Sequence, residues 1–142
     1  MTAAGETLHA TTVAIDGGGL LILGPSGAGK SSLALRLVSL GAALVSDDRT
    51  RLTIVDGELR ATCPNADLLG LIEVRGVGVL RAPALPSAVI RLVADLGQPE
   101  PDRLPPRRTV TILGVALPLV LHPQNDHLPD ALMLYLRHGR QA

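Results

Sequence analysis

The run "LLILGPSGAGKSSLALRLVSLG", residues 20–41, constrains this chain more than any other stretch. Its centre, Gly24-Pro25-Ser26-Gly27-Ala28-Gly29-Lys30-Ser31, fits the phosphate-binding (Walker A) pattern G-x-x-x-x-G-K-[ST]. An apolar run at 20–23 reads as a buried strand leading into it. Ser31 to Leu40 reads as a helix, with Leu33, Leu37 and Leu40 on one face and Gly41 where a C-terminal cap belongs. Strand, loop and helix stand in the order the motif requires. Backbone N–H groups must converge on phosphate oxygens, which demands backbone angles and close approach that glycine tolerates cheaply. The helix N terminus adds its partial positive charge to the same anion. Lys30 then reaches the outer phosphates, and the Ser31 hydroxyl ligates Mg²⁺.

A phosphate loop alone transfers nothing; the metal wants more oxygen ligands and a nucleophile wants a base. "AALVSDD" follows the helix as a second apolar strand ending in Asp47 and Asp48. A right-handed crossover lays that strand parallel to the first, which brings both carboxylates to the sheet edge that holds the loop. Adjacent residues of an extended strand point opposite ways, so one carboxylate is free to address the metal and the other an incoming hydroxyl. Glu73, one of four glutamates, sits inside the apolar run "LLGLIEVRGVGVL". A buried carboxylate needs a partner, and spacing alone allows either a pairing with Arg75 or a metal. His9, taken alone, reads as a surface residue, and the single Cys63 earns no functional reading.

With 142 residues the chain has the size of one domain, 1–142, and its 46% hydrophobic content argues against disorder. There is no Phe or Trp and one Tyr, so the core must be built from branched aliphatics. Thirteen basic residues balance thirteen acidic ones, which leaves no net field to recruit nucleic acid or a membrane surface. Lys30 is the only lysine. One cysteine permits no internal disulfide, and "MTAAGETLHATTVAIDGG" has neither the basic start nor the long apolar run of a signal peptide. A soluble, cytoplasmic protein is expected.

Elsewhere, "HATTVAID" (9–16) predicts a first strand closed by a turn at 16–19. A hairpin turning at Asp56-Gly57 is predicted over 49–64, and two strands flank Gly114. A helix is predicted over 86–96, "PSAVIRLVADL", with Pro near its start and Gly97 after its end. Residues 98–108, "QPEPDRLPPRR", read as an exposed Pro-rich loop, and Pro129 to Arg137 as a helix.

Taken together, "GPSGAGKSSLALRLVSLGAALVSDDRT" and "LIEVRGVGVL" resemble the catalytic domain of HPr kinase/phosphorylase. That bacterial family phosphorylates a serine of the phosphocarrier protein HPr. Its first motif is a phosphate loop, a helix and a segment like R-G-H-R-L-V-A-D-D. Its second resembles L-E-I-R-G-L-G-I, which stands here as Ile72 to Val79. The family also carries a histidine upstream of its loop, where His9 stands. The resemblance runs from His9 to Leu80 and thinly beyond, and a short form made of the C-terminal catalytic domain matches best.

The resemblance implies an α/β fold, a single phosphate-loop (Walker A) domain similar to the nucleotide site of phosphoenolpyruvate carboxykinases. It implies ATP and Mg²⁺ as cofactors, with Gly24 to Ser31 binding the phosphates and Ser31 holding the metal. Asp47 matches the carboxylate that takes the serine proton, Asp48 and Glu73 match positions close to the metal, and His9 matches a residue near the transferred phosphate. HPr would be the partner, and the chain would form a homo-oligomer, six subunits by resemblance. Three departures stand out. Ser32 replaces a usual acidic residue, and "SLGAALVSDD" lacks the usual Arg-Gly-His. The family's late basic loop, P-x-K-x-x-x-P-x-x-P-G-R-N, has become "LPLVLHPQNDHLPD", with no Lys or Arg between Arg108 and Arg137. Its loss argues against phosphorolysis. Two alternatives remain. One is a small-molecule kinase or NTPase with Arg103, Arg107 and Arg108 as a lid; the other is a nucleotide sensor without transfer chemistry.

Overall fold

In the computed structural model, which describes residues 5–142, the chain alternates hairpins with two helices. The strands are β1 (Gly5–Leu8), β2 (Thr11–Ile15), β3 (Gly18–Leu23), β4 (Ala43–Ser46), β5 (Thr50–Val55), β6 (Glu58–Thr62), β7 (Leu71–Val74), β8 (Gly78–Arg81), β9 (Ser87–Pro99), β10 (Arg108–Ile112) and β11 (Val115–His122). Helix α1 spans Lys30–Ser39 and α2 spans Leu128–His138, with one 3₁₀ turn at Ala66–Leu68. Part of the N-terminal stretch read for a leader, residues 1–4, lies outside the described residues.

Nine strands form one mixed sheet in the order β1-β5-β6-β9-β3-β2-β4, with β11 on β9 and β10 on β11. Three of its hairpins turn on two residues with positive φ, at Asp16-Gly17, Asp56-Gly57 and Leu113-Gly114. Left-handed pairs of this kind match the twist of the strands they join. β4 does run parallel to β3, but not beside it: β2 lies between them and pairs antiparallel with both. The ends of β3 and β4 and the beginning of β2 therefore meet at one edge.

Both faces of the central strands are buried, and the side chains alternate between two cores. Val13, Ile15, Leu20 and Ile22 pack with Leu33 and Leu37 of α1 and Leu132 of α2. Ala14 and Leu21 point the other way and pack with Leu52, Leu59 and Val93. Packing on both sides explains why these strands read as continuous apolar runs.

The helix predicted over 86–96 is corrected: those residues belong to β9, the longest strand. β9 pairs with β6 at its start, with β3 along its middle and with β11 near its end. The misreading has a physical origin. In the pairing with β3, Gly19 faces Ile90 but the next residue, Leu20, faces Leu92, so Arg91 is an extra residue, a β-bulge. Ala88 and Ile90 then face one core while Leu92 and Ala94 face the other. The bulge breaks the alternation of two and leaves an apolar spacing that imitates a helix. The Pro-rich loop is also shorter than 98–108: Gln98 and Pro99 close β9 and Arg108 opens β10.

That coil is clamped rather than loose. Arg108 donates to both carboxylate oxygens of Glu100, at 2.9 and 2.8 Å. The paired guanidinium holds Glu100 below the usual carboxylate range and raises the pKa of Arg108 in turn. Arg107 donates to the carbonyls of Arg140 and Gln141.

Candidate active site

The glycine-rich loop connects β3 to α1. Gly29 has φ 99° immediately before the helix, and no side chain caps the first turn, so its amides remain available to an anion. The loop closes on itself through Ala28 N–H donating to the Pro25 carbonyl at 3.0 Å. Lys30 is buried, and its Nζ donates to the carbonyls of Gly24 and Pro25 at 2.8 and 3.0 Å. The ammonium is thereby held against the loop it follows. β9 braces the loop from behind: a Cβ on Gly24 would meet Leu96 Cβ at 3.4 Å, and one on Gly97 would meet Pro25 Cδ at 3.0 Å.

Asp47 and Asp48 follow β4 and lie at this same edge, as the sequence predicts. Ser31 Oγ donates to Asp47 Oδ1 at 2.7 Å. Asp48 turns away, with its Oδ1 3.5 Å from His9 Nδ1. The carboxylates do face different ways, but strand alternation is not the cause. β4 ends at Ser46, and Asp48 sits in the left-handed region at φ 68°. Arg49 N–H donates to the Asp47 carbonyl at 2.8 Å, and Ser46 Oγ donates to the Arg49 carbonyl, so the bend is fixed on both sides.

Thr11, a residue the sequence reading passes over, joins the pair. Its hydroxyl donates to Asp47 Oδ1 at 3.2 Å and accepts from the Asp48 amide at 3.1 Å. Only its threonine neighbour Thr12 hinted at it: two adjacent threonines at the start of an otherwise apolar strand are both fully buried.

The expectation of a buried Glu73 is corrected. Ile72 turns inward on β7 while Glu73 is exposed, and among the described residues no ion pair joins it to Arg75. β7 and β8 form a separate two-stranded hairpin, and alternation across it puts Glu73 outward. Glu73 nonetheless borders the same cavity, of about 500 Å³, as Lys30, Ser31, Asp47, Asp48 and Arg75. That volume suits a small-molecule ligand. His9 does not line it and reaches it only through Asp48.

The donor set fits a hard cation. Ser31, Asp47, Asp48 and Glu73 border one cavity, and their hydroxyl and carboxylate oxygens are the ligand type that Mg²⁺ selects. Among the described residues no three His, Cys, Asp or Glu side chains converge enough to chelate an ion alone. A metal here would complete its shell with phosphate oxygens and water, as Mg²⁺ ordinarily does.

At the same sheet edge β11 ends in a polar turn, 123–127, which holds Asp126 and no Lys or Arg. His122 Nδ1 accepts from Gln124 N–H at 2.8 Å, and Asn125 Oδ1 accepts from His127 N–H at 3.2 Å.

Fold and site define a mixed α/β domain with a glycine-rich loop at the start of its first helix and carboxylates facing that loop. The chain belongs to the HPr kinase C-terminal domain family, whose model, "HPr Serine kinase C-terminal domain", it matches over residues 1–121. It is 39% identical to the HPr kinase/phosphorylase of Azoarcus sp. (strain BH72) over 135 residues, which is 82% of this chain and 42% of that protein. It is 40% identical to the one from Limosilactobacillus reuteri (strain DSM 20016), covering 83% of this chain and 41% of the relative. The chain thus spans about two fifths of the length of these relatives. A solved structure of the Hpr(Ser) kinase/phosphatase from Coxiella burnetii superposes with a TM-score of 0.77 at 30% identity, covering 93% of this chain and 88% of that one. No helix among the described residues is long and apolar enough to cross a membrane.

Proposed function

We propose that this chain is an ATP- and Mg²⁺-dependent protein-serine kinase domain whose acceptor is a phosphocarrier protein of the HPr type. The observation that carries this reading is the 2.7 Å bond from Ser31 Oγ to Asp47 Oδ1. A hydroxyl that gives its proton to Asp47 keeps its lone pairs for a metal, so loop and carboxylate can serve the same phosphate. Family membership and the names of the relatives support the acceptor.

The roles follow from position. Backbone amides of Gly24 to Ser31, with Pro25, Ser26, Gly27, Ala28 and Gly29 forming the curve, hold the ATP phosphates, and Lys30 neutralises the outer ones, as in the phosphoenolpyruvate carboxykinase nucleotide site. Mg²⁺, when bound, would offset the negative charge of the phosphates during transfer. Ser31 would hold it, with Asp48 and Glu73 nearby. Both hydrogen bonds to Asp47 fall on Oδ1, so Oδ2 is the atom that faces the acceptor. As the serine oxygen bonds to the γ-phosphorus, the bond to ADP breaks and the serine proton passes to Asp47 Oδ2. His9, 3.5 Å from Asp48, would act on the transferred group through that carboxylate.

A protein acceptor suits the rim of the cavity. Val77 and Val79, on the tip and outer strand of the β7–β8 hairpin, are 69% and 64% exposed beside Arg75. A small-molecule kinase would need arginines free to close over its substrate, whereas two of the three candidates, Arg107 and Arg108, are occupied by the tail and by Glu100, which leaves Arg103 alone. The turn after β11 carries Asp126 and no Lys or Arg to meet inorganic phosphate, which argues for the forward reaction alone. Action in the cytoplasm as a homo-oligomer, six subunits by family likeness, belongs to the same reading.

The test is phosphotransfer from γ-labelled ATP with Mg²⁺ to HPr from the same organism, wild type against Asp47→Asn. Label on an HPr serine that falls about 10²- to 10⁴-fold in the variant supports the kinase and its base. Tight ATP binding with no label moved would overturn it in favour of a nucleotide sensor.

A further inference from the structure

Thr11 is fully buried at the start of β2 and lies 36 residues from Asp47 in sequence. Its hydroxyl both donates and accepts. The proton goes to Asp47 Oδ1, which already accepts from Ser31, and a lone pair takes the amide of Asp48. Two donors on one oxygen fix the carboxylate's rotation and leave Oδ2 unengaged. The amide contact does a second job, because Asp48 holds φ 68°, a left-handed conformation that aspartate tolerates better than most residues and that a bond to its own amide fixes further. Few side chains can do both. Valine has the shape and neither bond; serine has both bonds and lacks only the methyl. β2 itself is held by further hydroxyls: Thr50 Oγ1 donates to the Ala10 carbonyl and shares a hydrogen bond with Thr12, each at 2.9 Å.

From this geometry we infer that Thr11 is a positioning residue, which sets which Asp47 oxygen meets the acceptor hydroxyl and holds Asp48 in its turned conformation. The inference rests on the kinase reading for its consequence and on the two hydrogen bonds for its substance. Removing the hydroxyl should damage transfer more than nucleotide binding, since Thr11 meets the loop 24–31 only through Asp47 Oδ1, on which Ser31 keeps its own shorter bond. A misplacement of about 1 Å at a reacting group costs on the order of 10²-fold in rate.

The experiment compares wild type, Thr11→Ser and Thr11→Val in three readouts: kcat for transfer to HPr, KM for ATP, and hydrogen exchange at the Asp48 amide. Thr11→Val should lower kcat by about 10- to 100-fold with KM for ATP within about twofold. Its Asp48 amide should exchange at least about tenfold faster, while Thr11→Ser restores both readings. Wild-type kcat in a folded Thr11→Val protein overturns the positioning role. So does a loss in which kcat and ATP binding fall together and serine fails to rescue, which is what general unfolding would give. If wild-type protein transfers no label, the kinase reading fails, and the exchange data still decide whether Thr11 holds the Asp48 turn.

Discussion

Replacing Gly97 by alanine tests whether the glycine-rich loop is braced from β9. A Cβ there would stand 3.0 Å from Pro25 Cδ and 3.2 Å from Asp95 Oδ1. Both contacts are tighter than ordinary van der Waals packing, so a neighbour must retreat by a few tenths of an ångström. Pro25 is a ring on the loop and has no rotamer to escape into, whereas β9 is paired into the sheet at Asp95 by both β3 and β11. The loop is therefore the part that moves. Pro25 also supplies the carbonyl that receives Lys30 Nζ and Ala28 N–H, so its displacement disturbs the ammonium and the amides together. Overpacking of this kind costs about 1–3 kcal/mol of stability. A shift of that size at the phosphate amides should weaken nucleotide binding by about threefold to tenfold, at most about 1.4 kcal/mol. The assay is equilibrium titration with a fluorescent ATP analogue alongside thermal melting. Gly114→Ala serves as control: Gly114 has φ 84° and open space around a Cβ, so alanine there strains only a remote turn. Both variants should melt lower, and only Gly97→Ala should bind nucleotide more weakly. Unchanged binding in Gly97→Ala would refute the brace.

Three further outcomes follow from the packing and the ion pairs. Leu92 is fully buried beside the bulge, so Leu92→Ala should cost about 2–5 kcal/mol in urea denaturation, whereas Arg91→Ala, which loses only an exposed pair with Glu58, should cost less than about 1 kcal/mol. Glu100 has a lowered folded-state pKa, so its contribution is present above its ordinary value of 4.5 and is lost as pH falls through the lower folded value. The stability difference between wild type and Glu100→Gln should accordingly be constant near neutral pH and shrink with acid below about pH 4.5, as measured by denaturation at several pH values. A gap that persists unchanged into strong acid would contradict that pairing.

Much of the site was legible because its parts are local. Strand, loop and helix around Gly24 to Ser31 are set by glycine placement and an apolar face, which spacing alone records. The two carboxylates after β4 were placed correctly at the loop's edge, although through an intervening β2 that direction alone does not reveal. What stayed hidden was non-local. Thr11 reaches Asp47 only after the sheet has paired, and nothing in "HATTVAID" marks one threonine above the other. Glu73 looked buried because its neighbours are apolar, yet Val77 and Val79 are themselves exposed, so apolar company was no measure of depth on that hairpin. In β9 the inserted Arg91 shifted the phase of a strand, and one residue was enough to make its pattern resemble a helix. β1, four residues long and only partly buried, left no pattern strong enough to read.

The placement of β2 between β3 and β4 has an evolutionary consequence. Because β2 runs against both neighbours, the groups proposed for transfer (His9, Thr11, the loop, Asp47 and Asp48) all fall in one uninterrupted segment, 9–48. The exposed hairpin that borders the cavity begins only at Leu71, beyond a further hairpin. Apart from Glu73, which the hairpin itself carries, mutations that reshape the rim, and with it the choice of acceptor, can accumulate without touching the residues that hold phosphate or accept a proton. A family built this way can change partners while its chemistry stays under separate selection.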